Sequence, residues 1–286
     1  MTRLALSMMW LLHWLPMPLL ALAGRFFGSA FSRFGRRRWH IAQTNLGLCF
    51  PQLTDAEKST LARRHFAAFG RSFLERGLLW WATPERIRQI VTLEGREHLD
   101  AAKGKPVILL APHFVGLDMA WTRLTLECDM VSIYANQTNA VFNDRLYRGR
   151  LRFGQSELLS RQEGVRRAMK AMKAGKPFYY LPDLDYGRDD AIFVPFFGVP
   201  AATITGLSRL VRLTGAVVLP VIARMTADGY IVTIGAPWAD FPGESIEADT
   251  QRMNAAIEAE ILKMPEQYFW LHRRFKTRPQ GEKRPY

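Results

Sequence analysis

The stretch VILLAPHFVGLD, residues 107–118, constrains the fold more than any other. Its first five residues are a short, continuous apolar run flanked by Lys105-Pro106 and Pro112, the signature of a buried strand. Asp118 then opens an amphipathic stretch (Met119, Trp121, Leu124, Leu126) that predicts a helix. His113 therefore falls where a strand leaves its sheet. Side chains five apart on one helix diverge by roughly 140°, so His113 and Asp118 converge only across a turn, which Gly116 can supply. A carboxylate holding one imidazole nitrogen while the other faces a cleft is the base-and-orienter arrangement of acyl transfer. The same spacing also describes a purely structural His–Asp pair.

From Val91 onward, strand-like and helix-like segments alternate. Strands are predicted at 91–93, 107–111, 130–135, 178–181, 217–222 and 230–234, with helices at 118–127, 140–153, 162–174, 204–213 and 247–263. This pattern predicts an α/β fold, a mixed sheet flanked by helices, with functional groups off the strand ends. Before it, Thr54 and Glu57 form a capping-box signature, and Ala62, Phe66, Phe69 and Phe73 recur at helical spacing. Residues 4–23 are apolar apart from Ser7 and His13, about long enough to cross a bilayer, and are followed by Arg25, Arg33 and Arg36-Arg37-Arg38. They predict an N-terminal membrane-anchoring helix over 1–24, spanning the bilayer or lying in its interface, ahead of one large domain over 25–286. The positive flank puts that domain on the cytoplasmic side.

The formal net charge of +13 over 286 residues calls for an anionic partner or surface. No zinc-finger spacing, recognition-helix motif or aromatic-studded RNA-binding signature accompanies it, which argues against nucleic acid. Cys49 and Cys128 are too few for a disulfide framework and read as small hydrophobes. Neither a Gly-x-Ser-x-Gly elbow nor a phosphate-binding glycine loop occurs, and neither cysteine has a histidine near it in sequence, so no covalent nucleophile is indicated. A second chemical stretch, YYLPDLDYGR over 179–188, carries Asp183, Asp185, Tyr186 and Arg188 into a loop. Its two aspartates could ligate a cation, orient catalytic groups or cap a turn. The apolar stretch 193–200 after it suits either an acyl-chain wall or a buried edge strand. Arg145, Arg148, Arg150, Arg152, Arg161, Arg166 and Arg167 match phosphate chemistry or a solvated basic face.

Taken together, the apolar N-terminus, His113-x4-Asp118, PDLDYG at 182–187 running into FVPF at 193–196, and PEQYFWLHRRFKTR at 265–278 resemble the late acyltransferases of bacterial lipid A biosynthesis, within the lysophospholipid acyltransferase superfamily. The resemblance runs nearly end to end; close relatives often carry glutamate at the position of Asp118 and asparagine at that of Pro112. It implies transfer of a fatty acyl group from acyl carrier protein to a hydroxyl of a Kdo-bearing lipid A precursor, without cofactor or metal, at the cytoplasmic face of the bacterial inner membrane. The expected partners are the acyl carrier protein, the lipid A precursor and membrane lipids. His113 would deprotonate the acceptor hydroxyl and Asp118 would fix its tautomer. Arg161 matches an arginine of the family's basic motif, placed in the pocket with Asp183 and Asp185. Arg145 and Arg150 are further candidates for phosphate contact. The same chemistry on a lysophospholipid or another membrane glycolipid is the alternative; a non-catalytic basic membrane-binding protein and a metal-dependent phosphohydrolase are further rivals.

Overall fold

In the computed structural model, residues 2–160 and 164–286 are described. The N-terminal part is helical: α1 (Thr2–Leu12), α2 (Met17–Phe34), α3 (Arg36–Cys49), α4 (Asp55–Leu74), α5 (Arg76–Trp81) and α6 (Pro84–Ile90). Alternation begins where the sequence predicts it, with β1 (Val91–Glu94), α7 (Arg96–Ala101), β2 (Val107–Leu110), α8 (Leu117–Leu124) and β3 (Val131–Tyr134). It continues through α9 (Ala140–Arg150), β4 (Glu157–Ser160), α10 (Gly164–Lys173) and β5 (Phe178–Tyr180). A hairpin of β6 (Ala191–Phe196) and β7 (Val199–Ile204) follows, then α11 (Gly206–Thr214), β8 (Val217–Met225), β9 (Tyr230–Ile234) and α12 (Ile246–Lys263).

Among the described residues the main sheet runs β1-β9-β8-β2-β5-β3-β4. Its neighbours are parallel except for β8 and β9, which form an antiparallel pair, so the sheet is mixed. β2 sits in the middle, and its alternate residues serve two cores. Ile108 and Leu110 pack with Phe66, Phe178 and Trp270 on one face; Val107 and Leu109 pack with Trp80, Trp121 and Leu219 on the other. Burial on both faces explains why this strand reads as an unbroken apolar run rather than an alternating one. The capping box at α4 forms as predicted: Glu57 N–H donates to the Thr54 hydroxyl and Thr54 N–H to the Glu57 carboxylate. Stretch 193–200 lies within the β6–β7 hairpin, which packs on α12 and into a core; the hairpin reaches the cavity described below through Ile204, outside that stretch.

Residues 4–23 do not make the single anchoring helix the sequence suggests. Pro16 lacks an N–H and disfavours helical geometry at Leu15, so α1 stops at Leu12 and α2 starts afresh at Met17. Among the described residues no helix is long and apolar enough to cross a membrane. α2 runs without a break across residue 24 and lies along α4, where Gly24, Gly28 and Gly70 let the backbones touch. A β-carbon on Gly28 would collide with the Phe66 carbonyl. The outer faces of α1 and α2 and the turn between them leave Leu4, Leu11, Trp14, Leu19, Phe26 and Phe34 exposed, Phe34 by 85%. Arg25, Arg33, Arg36 and Arg37 are exposed beside them.

Candidate active site

β2 and β5 are parallel neighbours with Leu110 opposite Tyr180. Each is followed by one residue and a proline: Ala111-Pro112 after β2, Leu181-Pro182 after β5. The next residues, His113 and Asp183, leave the same edge of the sheet in matching register, and they meet. His113 Nδ1–H donates to Asp183 Oδ1 at 2.7 Å, and His113 N–H donates to Oδ2 at 2.9 Å. A carboxylate can only accept, which fixes the imidazole tautomer and leaves Nε2 as its basic atom. Asp183 is fully buried. Burial alone would push its carboxyl up, but the electrostatic pull of His113 and the two hydrogen bonds from it outweigh that and hold the carboxyl below the ordinary aspartate range.

The carboxylate on His113 is thus Asp183, where the sequence assigned that contact to Asp118. The reason is local: α8 begins at Leu117, and Asp118, in its first turn, is held by two guanidinium groups. Arg150 reaches Asp118 Oδ1 through Nη2 at 2.6 Å and Nε at 3.0 Å; Arg76 reaches Oδ2 at 3.4 Å. Burial pushes the Asp118 carboxyl up, yet Arg150 and then Arg76 bring it down below its usual value.

Asp185 stands apart from the site and closes a turn. Its carboxylate accepts the N–H groups of Gly187 (3.0 Å) and Thr277 (2.7 Å) and the Thr277 hydroxyl, while its own N–H donates to His272 Nε2. Of the three readings the sequence left open for the Asp183–Asp185 pair, Asp183 fits the orienting one and Asp185 the turn. Among the described residues no three His, Cys, Asp or Glu side chains come together as metal ligands would. Arg145 is also structural: it donates to the Trp80 carbonyl at 2.8 Å and lies 4.2 Å over the Trp81 ring. Arg152 ties the carbonyls of Leu79 and Ala82, and Arg148 pairs with Asp144 at the surface. Arg161 lies outside the described residues.

His113, Asp118, Arg76 and Arg150 all line one cavity of about 500 Å³. Its remaining wall is mostly apolar, with Phe69, Phe142, Leu146, Leu158 and Phe178 among the lining side chains. The C-terminal segment braces the histidine from outside. Phe269 N–H donates to the His113 carbonyl, Val115 N–H donates to the Gln267 carbonyl, and Tyr268 pairs with Phe114 across an isolated bridge. Burial pushes His272 in this segment down to about 4, in keeping with a neutral ring that accepts the Asp185 N–H.

An oriented imidazole base opening on an apolar cavity at the strand ends of an α/β sheet defines a class: proteins equipped for general-base chemistry on substrates with a large apolar part. The family described as bacterial lipid A biosynthesis acyltransferase matches residues 1–277, and the chain belongs to it. It is 34% identical to the lipid A biosynthesis lauroyltransferase of Escherichia coli, over 98% of this chain and 93% of that one. It is 31% identical to the lipid A biosynthesis myristoyltransferase of the same organism, over 94% and 83%. The crystal structure of a 1-acyl-sn-glycerophosphate acyltransferase from Thermotoga maritima superposes with a TM-score of 0.42 at 16% identity, covering 86% of this chain and 96% of that chain.

Proposed function

We propose that the protein transfers a fatty acyl chain from acyl carrier protein to a hydroxyl of a Kdo-bearing lipid A precursor, at the cytoplasmic face of the bacterial inner membrane. The observation that carries this reading is the His113–Asp183 pair beside the apolar cavity. The acceptor hydroxyl gives its proton to His113 Nε2 as its oxygen attacks the thioester carbonyl, and no acyl-enzyme forms. Asp183 stabilises the imidazolium and keeps Nε2 turned to its task. When the tetrahedral intermediate collapses, the thiolate leaves and takes the proton from Nε2, so the new ester and the free thiol balance the step. The cavity wall offers the acyl chain an apolar bed.

Family membership and the names of the relatives support the lipid A acceptor. The exposed apolar face of α1 and α2 with its arginine rim supports membrane binding in the plane of the interface, where apolar side chains enter the lipid and arginines meet anionic headgroups. The net charge of +13 suits both that surface and an acidic carrier protein. The test is transfer by purified, membrane-reconstituted protein from acylated carrier protein to Kdo-bearing tetra-acylated precursor, read by mass spectrometry. The expected product is heavier by one acyl chain and is lost in His113→Ala. No product from the wild type refutes this donor–acceptor pair; undiminished product in the variant refutes the base.

A further inference from the structure

The loop that carries Asp183 continues beyond the site. Leu184 and Tyr186 line the cavity, and Arg188, at the loop's outer end, lines a second hollow of about 370 Å³ at the surface. The C-terminal segment supplies Lys276, Arg278 and Arg284 to that hollow, against a single carboxylate, Glu282, among the described residues. The two segments are tied together: Arg188 donates to the Arg278 carbonyl at 2.7 Å, and Asp185 accepts the Thr277 N–H. Glu282 is engaged by Arg278, and Lys276 lies 3.9 Å from the buried Asp185. Arg188 and Arg284 are both exposed, and among the described residues neither has an acidic partner. This concave, cation-lined surface is unlike the outer faces of α1 and α2. Among the described residues no large apolar side chain of 182–204 or 264–286 is exposed, so nothing there anchors in lipid. Such a surface fits an acidic protein, whose carboxylates meet the guanidinium and ammonium groups without leaving water.

We propose that this hollow docks the acidic carrier protein that delivers the acyl thioester, with Arg188 and Arg284 meeting its carboxylates. This rests on the acyl-transfer reading above. Between a carrier seated there and His113 stand Tyr186 and Leu184, already in the cavity wall, so the thioester arm passes from hollow to cavity along one loop. Arg188 and Arg284 touch neither the imidazole nor the reacting atoms; their part is to hold the donor protein.

The experiment compares wild type with the double variant Arg188→Glu, Arg284→Glu in the transfer assay, first with acylated carrier protein as donor and then with a short acyl thioester free of protein. Binding of fluorescently labelled carrier is measured in parallel by anisotropy, binding of anionic vesicles by flotation, and folding by thermal melting. Two reversed charges facing carboxylates are expected to raise KM for the carrier, and Kd for the labelled carrier, about tenfold to a hundredfold, with kcat changed much less. KM for the protein-free thioester and vesicle flotation should stay as in wild type. Unchanged carrier affinity overturns the proposal. So does an equal penalty with the protein-free donor, which would place the effect in the cavity, and so does a loss confined to flotation, which would make the hollow a lipid contact. Should the reversed variant misfold, Arg188→Gln with Arg284→Gln takes its place, and a wild-type carrier affinity insensitive to salt overturns the proposal in either case. Wild type that transfers from the protein-free donor but does not bind carrier sinks the docking surface alone. Wild type that binds carrier through these two residues but transfers from no donor sinks the acyl-transfer reading instead.

Discussion

Replacing Asp183 with asparagine keeps the shape of the site and reverses the proton on the imidazole. Asp183 accepts from His113 Nδ1 at 2.7 Å and from its backbone N–H at 2.9 Å. An asparagine oxygen placed to accept the backbone N–H turns its amide NH₂ toward Nδ1. The ring must then accept at Nδ1 and carry its proton on Nε2, where it can no longer take one from a hydroxyl. The buried anion that stabilises the imidazolium is lost as well. The analogous change in a Ser-His-Asp triad lowers kcat by about 10⁴, so a fall of about 10³ to 10⁴ in kcat, roughly 4 to 5.5 kcal/mol of transition-state stabilisation, is expected. KM should move by less than about threefold, since the carboxylate lies behind the histidine rather than against substrate. The assay is steady-state acyl transfer with mass-spectrometric detection, with Asp118→Asn run beside it. A kcat for Asp183→Asn within about tenfold of wild type would refute the dyad. So would an Asp118→Asn variant that lost as much kcat with KM unchanged.

Other outcomes follow from features outside the dyad. Burial pushes His65 down to about 4, against the hydrogen bond to the Glu266 carbonyl, so the folded ring stays neutral while the unfolded one protonates near 6.5. The unfolded state binds more protons across that window, so stability should fall as pH drops from about 6.5 to 4, by about 3 kcal/mol from this residue. His272, also held at about 4, adds to the same limb; urea melts across the range should show the slope, and a flat profile would contradict it. Gly28→Val should cost about 1 to 3 kcal/mol or more in the same melts, because its side chain meets the α4 backbone; an unchanged midpoint would mean that the helices are not so close. Leu11→Glu with Phe26→Glu should cut co-flotation with anionic vesicles while leaving stability within about 0.5 kcal/mol per site. Equal flotation of the double variant and wild type would move the membrane contact elsewhere.

Much of the frame was legible because it rests on local patterns. The predicted strands at 107–111 and 178–181 are unbroken apolar runs, and they became central strands buried on both faces. β4, Glu157–Ser160, escaped notice because it has two buried residues between polar ends. The His113–Asp118 contact was misread because a five-residue spacing says nothing about where a helix begins. With α8 starting at Leu117, Asp118 turns to α9 and meets Arg150. The true partner did leave a mark in the sequence. Leu110-Ala-Pro-His113 and Tyr180-Leu-Pro-Asp183 share one pattern, strand end, one residue, proline, polar group, and adjacent parallel strands would bring two such ends together. Arg76 left none: it opens the six-residue helix α5, and only tertiary packing carries it to the cavity.

The bracing of His113 by the far end of the chain has a consequence for how the molecule comes into being. The bonds from Phe269 to the histidine carbonyl and from Val115 to Gln267 span more than 150 residues, and the loop bearing Asp183 is pinned through Asp185 to Thr277. The amphipathic α1–α2 pair packs mainly on α4 and α5, and these emerge early from the ribosome. In a growing chain the amphipathic pair therefore packs long before the histidine is braced. Under the membrane contact proposed above, that pair would meet lipid before the two ends of the chain had closed on the histidine.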